Sequence, residues 1–273
     1  MEKVVNNIAA GIVTYNPDLK RLKENIGSIK PQVKQLLIVD NGSTNIEEIE
    51  ALCKENKCEL INFNENKGIA YALNKICEFF SSNYEWVLTL DQDSISPKNL
   101  IQKLCTYTTS KIGAIGPKIV YRGNEKFTQN SNKTLVSKVD WLITSATLTN
   151  INAWKSIGGF DNKLFIDGVD KDFCFRLNKK GYDVLQCNEV ELYHELGNLK
   201  CRRVFGKTIY VTNHSPKRKY YMARNAIYLD KKNGTHLSVT YIIKLFIKTL
   251  LFENGKKERL HAIAKGVRDA KKL

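Results

Sequence analysis

Apolar residues in the first hundred positions come in short unbroken runs separated by stretches of mixed polarity. The runs at 8–15, 35–40, 59–63 and 86–90 have the length of strands. They show little alternation, as expected when helices cover both faces of a sheet. Between them, 18–29, 46–55 and 69–81 repeat apolar residues at the helical spacing. Strand and helix alternating in this way predict an α/β fold built on a mostly parallel, doubly wound, Rossmann-like sheet. The second half is more mixed. Segment 112–120 reads as a strand, and 138–149 is strand-like with the polar insert Thr144-Ser145. A Gly158-Gly159 turn follows, then an acidic stretch entering a helix that ends before Gly181. Short strands are predicted at 182–185 and 190–193, and helices at 217–232, 237–252 and 255–270. The chain divides into a core, 1–200, and a mainly helical region, 201–273.

Ligands of such sheets bind at the carboxyl ends of the strands. Those ends carry Thr14-Tyr15-Asn16, Asp40-Asn41-Gly42-Ser43 and Asp91-Gln92-Asp93. Carboxylates at i and i+2 are hard oxygen ligands suited to Mg2+ or Mn2+; taken alone, the same three residues are also a solvated turn. Asp40-Asn41-Gly42 taken alone is a plain turn. Lys67 and Gly68 open a helix and let a ligand approach backbone amides, or simply cap it. Asp167, Asp170 and Asp172 form either an acidic helix start or a general base site. Asp170 is the choice for the base, although spacing alone does not select it. His194, after an apolar run, is a structural imidazole or a ligand completing a metal site with Asp93. Lys217, Arg218, Lys219 and Arg224, interleaved with Tyr220 and Tyr221, form a solvated basic helix, a phosphate clamp, a lipid-facing surface or an RNA patch.

Composition changes the picture in two respects. With 42% hydrophobic and 26% charged residues, the chain is globular, neither disordered nor coiled-coil. Its seven cysteines are odd in number and scattered, which argues against a disulfide framework or structural zinc and favours a reducing cytosol. No signal-peptide pattern and no 18-residue apolar stretch is present. Charge is more telling. Residues 1–199 hold 24 Lys+Arg and 24 Asp+Glu, whereas 200–273 hold 19 and 4. The net +15 therefore lies in the last 74 residues, which face something anionic. Within them, 241–252 is apolar nearly all round except at Lys244 and Lys248 on one face. This describes a helix packed on the domain or lying in a membrane interface with snorkelling lysines, and membrane-surface association is the expectation.

In this order, IVTYNP, LLIVDNGS, NENKGIAYALN, LTLDQDS, GGFDNKLFIDGVDKDFCFRL, YHELG and HSPKRKYYMARN resemble the inverting family 2 glycosyltransferases of GT-A fold, over roughly 6–232. The likeness is closest to the bacterial rhamnosyltransferases of polysaccharide assembly. It implies that Thr14, Tyr15 and Asn16 line a nucleotide pocket, that Asp40 contacts the base, and that Lys67 and Gly68 lie beside the nucleotide. Asp91, with Gln92, would reach the ribose or metal shell, and Asp93 would bind Mn2+ or Mg2+ under the diphosphate. Asp170 matches the catalytic base, His194 a further metal ligand, and Arg218, Tyr220 and Arg224 a motif holding the diphosphate. Many members have Glu-Asp where this chain has Val169-Asp170, which keeps Asp167 and Asp172 as acceptor-side candidates. The implied partners are dTDP-rhamnose or a UDP-sugar, a saccharide acceptor carried on a lipid, and an anionic membrane surface. The implied place is the cytoplasmic face of the cell membrane. Two rival readings are weaker. A nucleotidyltransferase would need a Gly-rich, Arg-containing loop after the first strand, and a nucleic-acid binder would leave the strand-end carboxylates unexplained.

Overall fold

The apolar runs form strands in a computed structural model that describes residues 7–121, 134–194, 200–204 and 207–273. In chain order the first half contains β1 (Ile8–Thr14), α1 (Leu19–Ile29), β2 (Gln35–Asp40), α2 (Ile46–Glu55), β3 (Glu59–Asn62), α3 (Ile69–Phe80) and β4 (Trp86–Asp91). It continues with α4 (Leu100–Cys105), β5 (Ile112–Tyr121), β6 (Val136–Lys138), β7 (Thr147–Asn150), α5 (Ile151–Ser156), α6 (Val169–Lys179) and β8 (Asp183–His194). Then come β9 (Lys200–Val204), β10 (Lys207–Val211), α7 (Pro216–Asn233), α8 (Ser238–Phe252) and α9 (Lys256–Asp269). Two compact units result. One is Met1–Asn162 with Asp170–His194, and the other is Lys163–Val169 with Glu195–Leu273. This differs from a simple division at residue 200, because the short segment Lys163–Val169 groups with the C-terminal helices.

The first unit holds an eight-stranded sheet in the order β3-β2-β1-β4-β7-β5-β8-β6. β1, β2, β3 and β4 are mutually parallel, β7 runs against both β4 and β5, and β5 and β8 are parallel. Six strands therefore share one direction, and only β7 and β6 oppose it. All seven residues of β1 are buried, as are five of six in β2 and in β4, while the edge strand β3 is half-exposed. Gly11 in β1 is required for packing, because a Cβ there would lie 2.3 Å from Ile76 of α3. α1 and α2 link strands that step outward from β1, and α3 returns the chain to β4 on β1's other side. With right-handed crossovers, α3 lies on the opposite face from α1 and α2. The winding therefore reverses between β1 and β4.

Two expectations in the second half need correction. The strand-like run 138–149 is not one strand. β6 ends at Lys138 and β7 begins at Thr147, because Thr144 and Ser145 turn inward and Ala146 takes a positive φ of 58°. The carbonyl of Thr144 accepts from the Thr89 hydroxyl at 2.7 Å, which anchors the interruption on β4. Conversely, the two short strands predicted at 182–185 and 190–193 are a single strand, β8. Its pairing with β5 shifts register between Pro117 and Lys118, where proline has no N–H to donate. Buried Asn74 of α3 pins the turn after α5. Its Oδ1 accepts from Trp154 Nε1 and Phe160 N, and its Nδ2 donates to the Phe160 carbonyl and Asn162 Oδ1.

The second unit packs α7, α8 and α9 around Ala223, Leu245 and Ile263. Pro216 opens α7 after the Ser215 cap, and Gly234 closes it in the left-handed region. Asp230 joins α7 to α8 by accepting from the amides of Leu237 and Ser238. Burial works against its charge, but bonds from Ser238 and Thr235 outweigh it and hold the carboxyl at about 2. Lys219 of α7 reaches Glu253 at 2.5 Å with both side chains buried, and Arg259 stands 3.6 Å from the same carboxylate. Removing one member of such a pair strands a buried charge. Lys219→Met is therefore expected to cost about 3–5 kcal/mol in urea unfolding. Lys219→Met/Glu253→Leu should recover at least half of that loss; a double variant as unstable as the single would mean that packing, not charge, sets the cost.

Candidate active site

Because β1, β2, β3, β4, β5 and β8 run the same way, Thr14, Asp40, Asn62, Asp91, Tyr121 and His194 all end at one edge of the sheet. The reversal between β1 and β4 opens a crevice there, the place where open α/β sheets take ligands. The loops on its two sides are bonded together. Tyr15 N donates to Gln92 Oε1 at 2.8 Å, and Asn16 N donates to Ser43 Oγ at 2.7 Å. Asn16, at φ 46°, turns its amide oxygen to accept from both N and Oγ1 of Thr44. Asn41 Oδ1 accepts from Lys67 N at 2.9 Å. Gly68, at φ 88°, caps α3, a backbone that L side chains avoid. The Lys67 ammonium lies over the Phe63 and Tyr71 rings.

Asp40 and Thr14, expected at the nucleotide, sit side by side at the ends of β2 and β1. Neither has exposed surface. The Asp40 carboxylate accepts from Thr14 Oγ1 (2.8 Å), Ser43 Oγ (2.5 Å), Ser43 N (2.7 Å) and Gly42 N (3.0 Å). That uses its acceptor capacity, so a base would have to displace one of these donors. As folded, Asp40 braces the loops after β1 and β2. Tyr15, Asn16 and Lys67 are among the exposed residues at this edge.

The Asp91-Gln92-Asp93 turn is held from below. Asn25 Nδ2 donates to the Asp91 carbonyl at 2.7 Å, Arg21 Nε donates to the Asp93 carbonyl at 3.1 Å, and Asp91 N donates to Ser145 Oγ. Ser145 in turn bonds Ser94 Oγ. Asp91 is half-buried and Asp93 is exposed. Among the described residues no group of three His, Cys, Asp or Glu side chains encloses a metal. An exposed carboxylate at a strand end nevertheless fits Mg2+ or Mn2+, which bind through one or two carboxylates and complete their shells with phosphate and water oxygens. His194 ends β8 opposite Tyr121, but its side chain lies outside the described residues, as do Glu195, Leu196 and Gly197 of YHELG.

Of the three acidic candidates after the Gly-Gly turn, each meets a different environment. Asp170 is half-exposed near the start of α6. Burial, then the charge of Asp170, pushes the Tyr121 phenol up, which puts Asp170 near the end of β5. Asp172 is the second of the acceptor-side candidates. It is buried and bonds Arg176 Nε at 2.8 Å, while Arg176 Nη1 also donates to the Ile157 carbonyl. Asp167 belongs to the second unit, at a positive φ of 66°.

Within that unit, the basic motif expected at the diphosphate is bonded to its own chain. Arg218 forks Asp167, Nε to Oδ2 at 3.1 Å and Nη2 to Oδ1 at 3.0 Å. Arg224 Nη2 donates to the Lys163 carbonyl at 2.6 Å and to Asn225 Oδ1 at 2.7 Å. The Tyr220 hydroxyl donates to Asp269. Phe165 stacks on Tyr221, and buried Asn225 donates to the carbonyls of Ile166 and Asp167. A diphosphate would have to compete for Arg218 with a carboxylate already in place. His214 is kept neutral, its imidazole pushed down to about 4 by burial and then by Arg218.

Several bracing residues escaped the sequence reading. Asn25 and Asn74 left a signal, since each is a polar residue on the buried side of an otherwise amphipathic helix. Ser145 left another, as part of a polar insert in an apolar run. Arg21 and Asn225 left none.

Residues 10–178 match the family model described as Glycosyl transferase family 2. The dTDP-rhamnosyl transferase RfbF of Shigella flexneri is 31% identical over 280 residues, taking in 96% of this chain and 93% of that protein. The low-salt glycan biosynthesis hexosyltransferase Agl10 of Haloferax volcanii is 22% identical, over 92% of this chain and 87% of its own. Among solved structures, GalNAc-T7 with UDP, GalNAc and Mn2+ has a TM-score of 0.59 at 12% identity, covering 80% of this chain and 47% of that one. This chain thus spans about half the length of GalNAc-T7. Glucosyl-3-phosphoglycerate synthase from Mycobacterium tuberculosis, with Mn2+, UDP and phosphoglyceric acid, has a TM-score of 0.51 at 16% identity, covering 70% and 72%. These likenesses show the GT-A fold.

The brace at Asp40 is directly testable. Asp40→Ala leaves two hydroxyls and two amides without their acceptor, at an expected cost of about 2–5 kcal/mol in denaturant unfolding. An unchanged midpoint, with only nucleotide affinity reduced, would return Asp40 to a direct contact.

Proposed function

We propose, from the premise that the chain belongs to glycosyl transferase family 2, that this glycosyltransferase moves L-rhamnose from dTDP-rhamnose to a saccharide acceptor with inversion. The observation that carries the reading is the 31% identity to a dTDP-rhamnosyl transferase across nearly the whole chain, together with the Asp91-Gln92-Asp93 turn at the strand reversal. The acceptor is a lipid-linked saccharide of a cell-surface polysaccharide, and the enzyme works as a peripheral protein at the cytoplasmic face of the membrane. No helix among the described residues is long and apolar enough to cross a membrane.

In an inverting transfer, the acceptor oxygen forms a bond to the anomeric carbon as the bond from that carbon to the diphosphate oxygen breaks on the opposite side. Asp170 takes the proton from the acceptor hydroxyl, which prevents an oxonium from building up as the new bond forms. Tyr15, Asn16 and Lys67 are the exposed groups that orient the nucleotide along the strand ends. Asp93 would hold the divalent ion, whose Lewis acidity offsets charge on the departing diphosphate. The bonds to Asn25, Ser145 and Arg21 hold the Asp91–Asp93 turn beforehand, so donor binding orders little new backbone.

A calorimetric panel of dTDP-rhamnose, UDP-sugars, GDP-mannose and a short RNA, each with and without Mn2+, tests the donor. Metal-dependent binding of dTDP-rhamnose alone is the expected result. Preference for a UDP-hexose would move the chain to another branch of the family, and metal-insensitive binding of RNA alone would overturn the reading. Asp170→Asn should lower kcat by about 10²–10⁴ and leave donor affinity within about twofold. A loss of affinity matching the loss of rate would remove Asp170 as the base. Asp93→Ala should abolish the gain in donor affinity on adding Mn2+; a retained metal effect would place the ion elsewhere.

A further inference from the structure

α8 turns its larger apolar side chains away from the core of its own unit. Ser238, Leu245 and Thr249 form its buried stripe, with Ile242 packed on the small core of the second unit. The outer side carries Val239, Ile243, Phe246, Ile247, Leu250 and Leu251, each between 43% and 64% exposed. At the helical repeat these six span roughly 140° of the circumference. Lys244 and Lys248 border one edge of that arc. A continuous apolar face left in water marks an interaction surface.

The charge around it selects the partner. From 238 to 273 there are nine Lys and Arg against three acidic residues. Two of the three acids are engaged within the unit, and the third, the exposed Glu258, leaves the positive charge in large excess. Glu253 is buried against Lys219, and Asp269 is engaged with Lys272 and Tyr220. A second copy of this chain would bring the same positive charge to the contact, which opposes pairing. An RNA would meet the lysines but leave six apolar side chains in water. We propose that the outer face of α8 docks on an anionic lipid bilayer, lying in the plane of the surface. Ile243, Phe246, Ile247 and Leu250 enter the acyl boundary, and Lys244 and Lys248 snorkel to the headgroup phosphates. The benefit of this docking rests on the reading of a lipid-linked acceptor, whereas the binding itself does not.

The test uses the full chain and vesicles of phosphatidylcholine, with or without about 30% phosphatidylglycerol. Wild type should co-sediment with the anionic vesicles and at least tenfold less with the neutral ones. Phe246→Glu/Leu250→Glu, which changes only exposed positions, should lose at least tenfold in vesicle binding while keeping its unfolding midpoint and donor affinity. Independently, Ile247→Trp should show blue-shifted emission with anionic vesicles only. Absent co-sedimentation, unaltered binding by the double variant or an unshifted Trp emission would each overturn the proposal. So would a wild-type dimer that the double variant dissociates, since a second copy would then cover the face. Rhamnosyl transfer to a water-soluble acceptor analogue without vesicles tests the proposed function separately, so either idea can fail alone.

Discussion

The site depends on the position of β1. Its seven residues are all buried, it pairs in parallel with β2 and β4, and the order of winding reverses across its boundary with β4. From that constraint the rest of the edge follows. Thr14 falls opposite Asp40 and Val13 opposite Asp91 in the registers, so three sequence segments tens of residues apart reach one line. Gly11 keeps α3 close enough to cover β1, and α3 begins at Gly68, which places Lys67 at the same edge. A one-residue slip of β1 would send Asp40 and Thr14 to opposite faces.

What the sequence made legible was whatever a single run of residues encodes. Unbroken runs such as LLIVD and WVLTLD announce strands covered on both faces, and their terminal aspartates announce an edge with chemistry. The basic imbalance was likewise visible by counting. The misses share a physical cause, which is pairing over long sequence separations. Whether 138–149 is one strand or two depends on Thr89 reaching the Thr144 carbonyl. That Asp40 braces the loops after β1 and β2 depends on Thr14, 26 residues earlier, bonding one of its oxygens. Neither contact leaves a trace in local hydropathy.

Counting charge also overstated what the C-terminal region offers a partner. Lys219 is buried against Glu253, Arg218 is held by Asp167, Arg224 is bonded to the Lys163 carbonyl, and Arg259 donates to the His214 carbonyl. These cations hold the second unit together, partly around the segment Lys163–Val169. The charge that faces solvent comes instead from residues such as Lys244, Lys256, Lys257 and Lys265. A motif of basic and aromatic residues is thus ambiguous until its internal partners are known. The same guanidinium that suits a phosphate suits a carboxylate already in the chain.

Asp167, Asp170 and Asp172 carry this point to the reaction. They have one chemical identity and lie within six residues, yet their surroundings separate them. Asp172 is buried on Arg176, and a general base so enclosed has no path to a substrate hydroxyl. Asp167 is forked by Arg218 in a backbone conformation unusual for aspartate, so taking a proton there would cost the bidentate pair. Asp170 is half-buried near the end of β5, at the edge of the sheet where Asp91 and Asp93 also lie. Proton abstraction needs access to the acceptor hydroxyl. Asp172 is enclosed, whereas Asp170 lies at the strand-end edge with Asp91 and Asp93, and that placement, rather than spacing along the chain, is the ground on which Asp170 is proposed as the base.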